Sequence, residues 1–469
     1  MCAHNLSKYL FFIIAISVLG CNKFIDIDAP KNQVASDNVF QENTTAAGVL
    51  TGMYALMSSD GIFTGRGSIS LKGALSADEL TLYGSAGDAA LSEIYVNAMN
   101  SRSSGNPWSQ FFKYINVANT AIEGLNGSKT LTDGVKQQLI GESLFIRAFL
   151  HFYLVNLYDS VPLVTSSDYR VNNVITRSAP DLVYKQIVDD LNEAISKLSE
   201  NYLAADVQAG SSERVRPTKW AAEALLARVY LYKKDYANAV VQATNVISRS
   251  DMFDTTSLSD VFLATSKEAI WQLAPTSQDV NTLDGNLFIL KRAPSYSKPV
   301  YCSTNLLDAF EEGDLRRTNW VNSVLAANGT RYYFPFKYKI GSGGPPTEYT
   351  TILRLGEQYL IRAEANANLG GFSAANDDLN VIRARAGLPA VSYSNKEDLL
   401  AAILHERQVE LFTEWGHRWL DLKRTGTVDA VMSVVCTQKG GTWKSTASYF
   451  PIPLSDLLRN KNLTQNSGY

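Results

Sequence analysis

The sequence predicts a mainly α fold: a scaffold of tetratricopeptide-like helix pairs that carries a loop-rich part with a few short strands. Three observations predict it. Long stretches repeat apolar residues at three and four, the spacing that lines one face of a helix. Two stretches, 136 positions apart (236 and 372), superpose as the same helix pair. Strand-like runs are few, short and separated by long irregular connections.

At the start of the chain, Lys8 precedes an almost purely apolar run from Tyr9 to Val18, and Leu19-Gly20-Cys21 follows. The run is too short to span a bilayer and reads as a signal peptide over residues 1–20. A small residue directly before Cys21 resembles a bacterial lipoprotein signal, with Cys21 acylated as the new N-terminus. A secretory signal with a chance cysteine is the alternative. Acyl chains would hold the protein on a membrane surface, at about 0.8 kcal/mol per buried CH₂, while the body stays in water.

Further along, Trp108, Phe111, Phe112, Ile115, Ala118, Ile122 and Leu125 give a helix with one buried face, which assigns Trp108 to the core. From Leu139 to Leu157 the chain is apolar nearly all round, so a central helix is expected, closed by Pro162. Val183 to Leu198 continues the helical pattern through Ile187, Leu191 and Ile195. The better strand candidates are 269–273, 286–290 and 332–338. Placing Tyr236 and Phe372 in register matches Ala239 with Ala375, Ala243 with Leu379 and Val246 with Ile382. Upstream, Ala227 falls against Ala363, and Lys234 against Gly370 in the turn. Small residues at a crossing let antiparallel helices approach closely. The spacing is far from the roughly 34 residues of a tandem array, so with further pairs at 139–198 and 398–424 a broken helical scaffold is expected.

Composition narrows the function. Lys plus Arg is 43 against Asp plus Glu 46, a net charge of −3, so no nucleic-acid-binding footprint is expected. After the signal, only Cys302 and Cys436 remain besides Cys21, with no CxxC; two buried free thiols or one long-range disulfide are the options. His151, His405 and His417 lie in helical patterns without HExxH spacing, so no metal or other cofactor is expected. A glycosidase reading would use Glu406, Glu410 and Glu414 at i, i+4, i+8, or Asp78-Glu79. Such an enzyme needs two carboxyls converging across a cleft at about 5–9.5 Å, whereas acids on one helix face beside Arg407, Arg418 and Lys423 read as solvated or ion-paired. With no Gly-x-Ser-x-Gly, P-loop or dinucleotide fingerprint either, the chain is not expected to be an enzyme.

Five blocks carry a resemblance. GESLFIRAFLHFYLVNLYDSVPLV from Gly141, RPTKWAAEALLARVYLYKKDYANAV from Arg216, YLIRAEANANLGGFSAANDDLNVIRARAGLP from Tyr359, HERQVELFTEWGHRWLDLKRTG from His405 and YFPIPLSDLLRNKNLTQNSGY ending at Tyr469 resemble the SusD/RagB family of nutrient-binding lipoproteins. CNKFIDIDAP from Cys21 agrees, so the resemblance runs over the whole mature chain. It implies a single SusD-like body over 21–469, with an N-terminal part of about 22–215 and a C-terminal part of about 216–469. Four tetratricopeptide-like pairs would interleave with a loop-rich ligand region at about 251–350. It implies a lipid-anchored outer-membrane protein at the cell surface that captures glycan, or in some relatives peptide, and passes it to a SusC-like TonB-dependent transporter.

A sugar site needs flat rings for the C–H faces of pyranoses and a few fixed polar groups for hydroxyls, held on loops over a rigid scaffold. Two stretches offer these: 76–102, with Asp78, Glu79, Tyr83, Asn100 and Arg102, and 291–333, with Tyr296, Tyr301, Trp320, Arg331 and Tyr332. Tyr83, Arg102, Tyr296 and Trp320 are the ligand-binding candidates. Trp415 and Trp419 read as scaffold or transporter-facing surface, and Trp443, in KGGTW, fits either role. A protein-binding scaffold using a helical groove is the competing function; exposed aromatics over a shallow loop-side site would favour glycan instead.

Overall fold

The computed structural model describes residues 39–469 apart from 85, 86 and 278; the signal segment 1–20 and Cys21 lie outside the described residues. Among the described residues no helix is long and apolar enough to cross a membrane.

The longer helices are α1 (Asn43–Ser59), α2 (Ile69–Ser76), α3 (Trp108–Gly127), α4 (Asp133–Tyr158), α5 (Pro180–Lys197), α6 (Lys219–Tyr232), α7 (Tyr236–Ile247), α8 (Leu355–Asn368), α9 (Phe372–Arg385), α10 (Lys396–Glu410), α11 (His417–Arg424) and α12 (Val428–Gln438). Their starts follow local chemistry. Pro180 opens α5 with Asp181 in the first turn, and the Asp235 carboxylate caps α7 by accepting from the Asn238 amide at 3.3 Å. Helix α4 is the centre of the molecule. Every side chain from Leu139 to Val155 is buried, as its all-round apolar pattern predicts, with α3 and α5 packed on either side.

Its buried Glu142 and Arg147 are paired. Glu142 meets Arg216 at 2.6 Å and also accepts from the Tyr54 hydroxyl at 2.8 Å, while Arg147 holds Asp190 through two bonds of 2.6 and 2.8 Å.

The predicted repeat forms as α6–α7 and α8–α9. Tyr236 and Phe372 each open the second helix of their pair, and the residues matched in the turn, Lys234 and Gly370, both take left-handed backbone at φ 60° and 83°. Ala227, Leu231, Ala239, Ala243, Ile361 and Ala365 form one cluster that joins the two pairs. Leu360, Leu379, Ile382, Leu399 and Ile403 join the second pair to α10. Arg228 and Glu357, both buried, lock α6 to α8 at 2.6 Å.

Strands are short and paired two by two, all antiparallel: β1 (Leu80–Leu82) with β5 (Val300–Cys302), β2 (Val161–Pro162) with β3 (Arg177–Ser178), β4 (Ala269–Leu273) with β8 (Thr350–Arg354), and β6 (Val321–Leu325) with β7 (Arg331–Pro335). Pro162 therefore lies in β2, past the end of the central helix. The strand expected at 269–273 forms, whereas 286–290 does not: Leu283–Phe288 is a short helix. A brief apolar run has no period that separates strand from buried helix, and Thr282 tips the balance by capping the Gly285 amide at 2.9 Å. Trp271 on β4 meets Phe145 and Phe149 of α4 edge to face, at 4.9 and 5.6 Å between ring centroids, which seats the strand-bearing part on the central helix. Cys302 and Cys436 are buried free thiols.

Candidate functional site

Alternation along β1 and β5 decides which side chains reach the surface. Leu80, Leu82, Val300 and Cys302 point into the core, so Thr81 and Tyr301, directly opposite each other, are half-buried on the outer face. The β6–β7 hairpin extends this face. Tyr332 meets Tyr301 edge to face at 5.1 Å, and Tyr83, just past β1 with its amide bonded to the Pro299 carbonyl at 2.7 Å, meets Tyr332 at 6.1 Å. Tyr95, at the end of the helix Ala89–Tyr95, joins through a side-chain hydrogen bond with Thr81. Burial, with the neighbouring Tyr332 and Tyr83 hydroxyls, raises the Tyr301 hydroxyl above the usual tyrosine range and keeps it a neutral donor.

Tyr296 sits beside this group on the 291–299 connection. It is 65% exposed, and the Arg66 guanidinium lies 4.6 Å over its ring while donating to its carbonyl. Arg66 is held in turn by Asp88 at 2.6 Å, and Asp88 also caps the Leu91 amide at 3.0 Å. The result is four half-buried tyrosines on one outward face, flanked by a fifth ring whose orientation is set by an arginine. Such a surface presents ring faces to apolar C–H groups and phenol hydroxyls to polar ones.

The sequence candidates separate on inspection. Tyr83, Tyr301 and Tyr332 meet on this face, with Tyr296 at its edge. Trp320 is elsewhere: it is 0% exposed, its indole N–H donates to the Leu258 carbonyl at 2.8 Å, and Phe262 closes on it at 5.7 Å. It is a core residue with no ring face left for a ligand, which corrects the expectation that it stacks on one. Arg102 is exposed on a turn where the Ser101 carbonyl accepts from the Leu454 amide at 2.7 Å, and no contact links it to the tyrosines. Asn100 caps that same turn through the Arg102 amide at 2.9 Å. Arg331 bonds Ser323 at 3.0 Å on the Tyr333 side of the hairpin, opposite to Tyr332. Sequence reasoning missed Tyr95, Arg66 and Asp88, which carry no spacing signal toward the other members.

The acidic candidates are structural in this fold. Asp78 grips Arg418 through bonds of 2.8 and 2.7 Å, and burial beside Asp78 pushes the Glu79 carboxyl up to about 8. Glu410 pairs with Arg354 at 2.6 Å, Arg316 at 3.0 Å and Arg385; Glu414 pairs with Arg354 at 2.7 Å and Lys337; Glu406 pairs with Arg316 at 2.6 Å. All three are buried and ion-paired rather than solvated, but their cations include Arg316, Arg354, Arg385 and Lys337 and not the neighbouring Arg407, Arg418 or Lys423, and Glu414 lies past the end of α10. Trp415 and Trp419 are buried, so the scaffold alternative holds for both. Trp443 packs edge to face on Trp419 at 6.2 Å and donates to Asp429 at 2.7 Å.

Known proteins place this architecture. The model of the SusD family matches residues 322–469, and the model described as starch-binding, associating with outer membrane, matches residues 23–231. SusD-like protein P25 of Formosa agariphila is 23% identical across 99% of each chain. The starch-binding protein SusD of Bacteroides thetaiotaomicron is 36% identical over 140 residues, 27% of this chain and 24% of that protein. A solved laminarin-binding SusD-like protein superposes with a TM-score of 0.76 at 26% identity, over 92% of this chain and 100% of its own. The two models together match residues 23–231 and 322–469, most of the chain, and the superposition covers 92% of it: the chain belongs to the SusD/RagB family.

Proposed function

We propose that this protein binds oligosaccharide or polysaccharide at the cell surface, leaves it chemically unchanged and delivers it to a SusC-like TonB-dependent outer-membrane transporter. The observation that carries the reading is the outward face of Tyr83, Tyr95, Tyr301 and Tyr332 with Tyr296 beside it. Half-buried rings gathered on one outward face, with the exposed Tyr296 beside them, suit the flat C–H faces of pyranoses. The names of two similar proteins, one starch-binding and one laminarin-binding, support glycan over peptide. The burial of Glu406, Glu410 and Glu414 among arginines supports binding without catalysis. Attachment to the outer membrane is assigned to lipid on Cys21.

The test uses the soluble chain from Asn22 on affinity gels of several polysaccharides, with a peptide mixture in a calorimeter alongside. Retention by at least one polysaccharide is expected, and Tyr301→Ala or Tyr332→Ala should weaken it by about 1–3 kcal/mol, the range for truncated aromatic anchors. Equal retention of both variants removes this face from the site, and peptide heat without retention by any gel moves the protein to peptide uptake. In the full-length chain, Cys21→Ala should give a folded protein found in the soluble fraction; membrane retention of that variant sinks the anchor.

A further inference from the structure

Resting on the glycan reading of the tyrosine face, we propose that its ligand is a polyanionic glycan, one that carries carboxylate or sulfate groups along the chain. The elements that build the face are depleted of acid. From Gly285 to Leu307, the stretch that carries Tyr296 and Tyr301, there is no Asp or Glu, and there is none from Leu315 to Thr347, which includes the hairpin bearing Tyr332. The first stretch contains Lys291 and Arg292, both exposed and neither in an ion pair among the described residues. They follow directly on Leu290, which is buried in the cluster against which Tyr301 and Tyr332 pack, so they stand at the rim of the tyrosine face.

The acids on the adjoining elements are already used or turned away from solvent. Asp88 is taken up by Arg66 at 2.6 Å and by the Leu91 amide. Asp78 is taken up by Arg418, Glu79 is buried beneath β1, and the Glu93 Oε2 atom is shielded from solvent. Arg66 is itself neutralised, and Lys298 points inward to the Ile289 carbonyl at 2.7 Å. What remains open at the rim is therefore the cation pair of Lys291 and Arg292. A guanidinium next to an ammonium suits carboxylate or sulfate: the first binds two anionic oxygens in a fork, and the second acts as a mobile point charge. The chain as a whole carries −3, so attraction of a polyanion has to come from a local patch.

The experiment compares four gels, polygalacturonate, a sulfated galactan, laminarin and starch, each with the soluble wild type, Lys291→Ala/Arg292→Ala and Tyr301→Ala/Tyr332→Ala. Ionic strength is raised from about 0.01 M to about 1 M, which shortens the screening length from about 30 to about 3 Å. The expected result is retention on one or both anionic gels that falls at least tenfold at high salt and at least tenfold in the Lys291/Arg292 variant, with the tyrosine variant also released. Retention on polygalacturonate alone assigns a carboxylate ligand, and on the galactan alone a sulfate ligand; either supports the proposal. Retention on laminarin or starch that ignores salt and the cation variant but requires the tyrosines overturns the anionic ligand and leaves the glycan reading standing. Retention on none of the four overturns it together with the glycan site on which it rests. A variant at a distant exposed cation, Lys185→Ala, should behave as wild type; equal loss in that variant would mean general charge attraction and would also overturn the proposal.

Discussion

Trp320 and Tyr332 lie twelve positions apart in one acid-free stretch, yet one is core and the other surface. The difference is a hydrogen bond and a neighbour. The Trp320 indole has a buried carbonyl partner in Leu258 and rings from Phe262 and Phe412 against it, while Tyr332 packs against Tyr301, Tyr83 and the edge of the Leu290 cluster and keeps part of its ring at the surface. Trp320→Ala is therefore expected to cost about 3–5 kcal/mol of stability, the range for emptying a packed aromatic site, and to leave glycan affinity unchanged wherever the variant stays folded. Thermal unfolding and gel retention measured on the same sample check this; lost affinity at unchanged stability would return Trp320 to the site. The residue type was legible as aromatic payload, but its burial was not, because Leu258 and Phe262 come from a segment some sixty residues earlier.

Among elements, α2 and the start of α11 approach backbone to backbone. A Cβ on Gly73 would lie 2.4 Å from the Gly416 Cα, a backbone atom that cannot step aside, and Gly416 itself sits at φ +69° as the residue before α11. Gly73→Ala should thus force the two elements apart and destabilise the protein by about 1–3 kcal/mol, read as a lower unfolding midpoint in denaturant. A neutral result would mean that the crossing is looser than the structure has it. The helix pairs themselves were readable, since Ala227, Ala239, Ala363 and Ala375 recur in register and small residues at a crossing are a local pattern. The strand expected at 286–290 failed for the complementary reason: five residues contain too little period to choose, and a single threonine cap decided for helix.

At the scale of the whole molecule, the loop-rich part is clamped to the helices by a buried ion network. Arg354 on β8 reaches Glu268 at 2.8 Å, Glu410 at 2.6 Å and Glu414 at 2.7 Å, and Arg385 of α9 holds Glu268 and Glu410 as well. Burial alone would raise Glu406, Glu410 and Glu414. The surrounding Arg385, Arg354 and Arg316 reverse that for Glu410 and hold it well below the usual carboxylate range, Arg354 and Lys337 hold Glu414 low, and only Glu406 stays raised because burial outweighs its partners. A depressed folded-state carboxylate contributes stability that is complete above its unfolded value, near 4.3, and disappears as pH falls through the folded value. Arg354→Met leaves three carboxylates short of a partner and should cost about 3–5 kcal/mol at neutral pH, with a deficit that begins to shrink below about pH 4.3, where the unfolded chain takes up protons, and goes on shrinking as pH falls toward the depressed folded values of Glu410 and Glu414. Urea midpoints of wild type and variant across pH 3–8 check it; a deficit independent of pH would mean that packing around Arg354, and not its charge, is what matters.

The sequence by itself determined the helical scaffold, the paired repeats and the family, because each is written in contiguous stretches whose period or motif needs no distant partner. The charged members of those motifs were equally visible, yet only the fold showed Glu142, Arg147, Arg228 and Glu357 to be buried pairs. The tyrosine face was assembled only by tertiary structure, although Tyr83, Tyr301 and Tyr332 already stood among the aromatic candidates of the sequence. Tyr83, Tyr95, Tyr301 and Tyr332 come from strands and a helix separated by up to 249 positions (83 to 332), and which of many tyrosines and tryptophans stays at the surface depends on what the chain brings against it. Exposure is a property of neighbours, and for these residues the neighbours are remote in sequence.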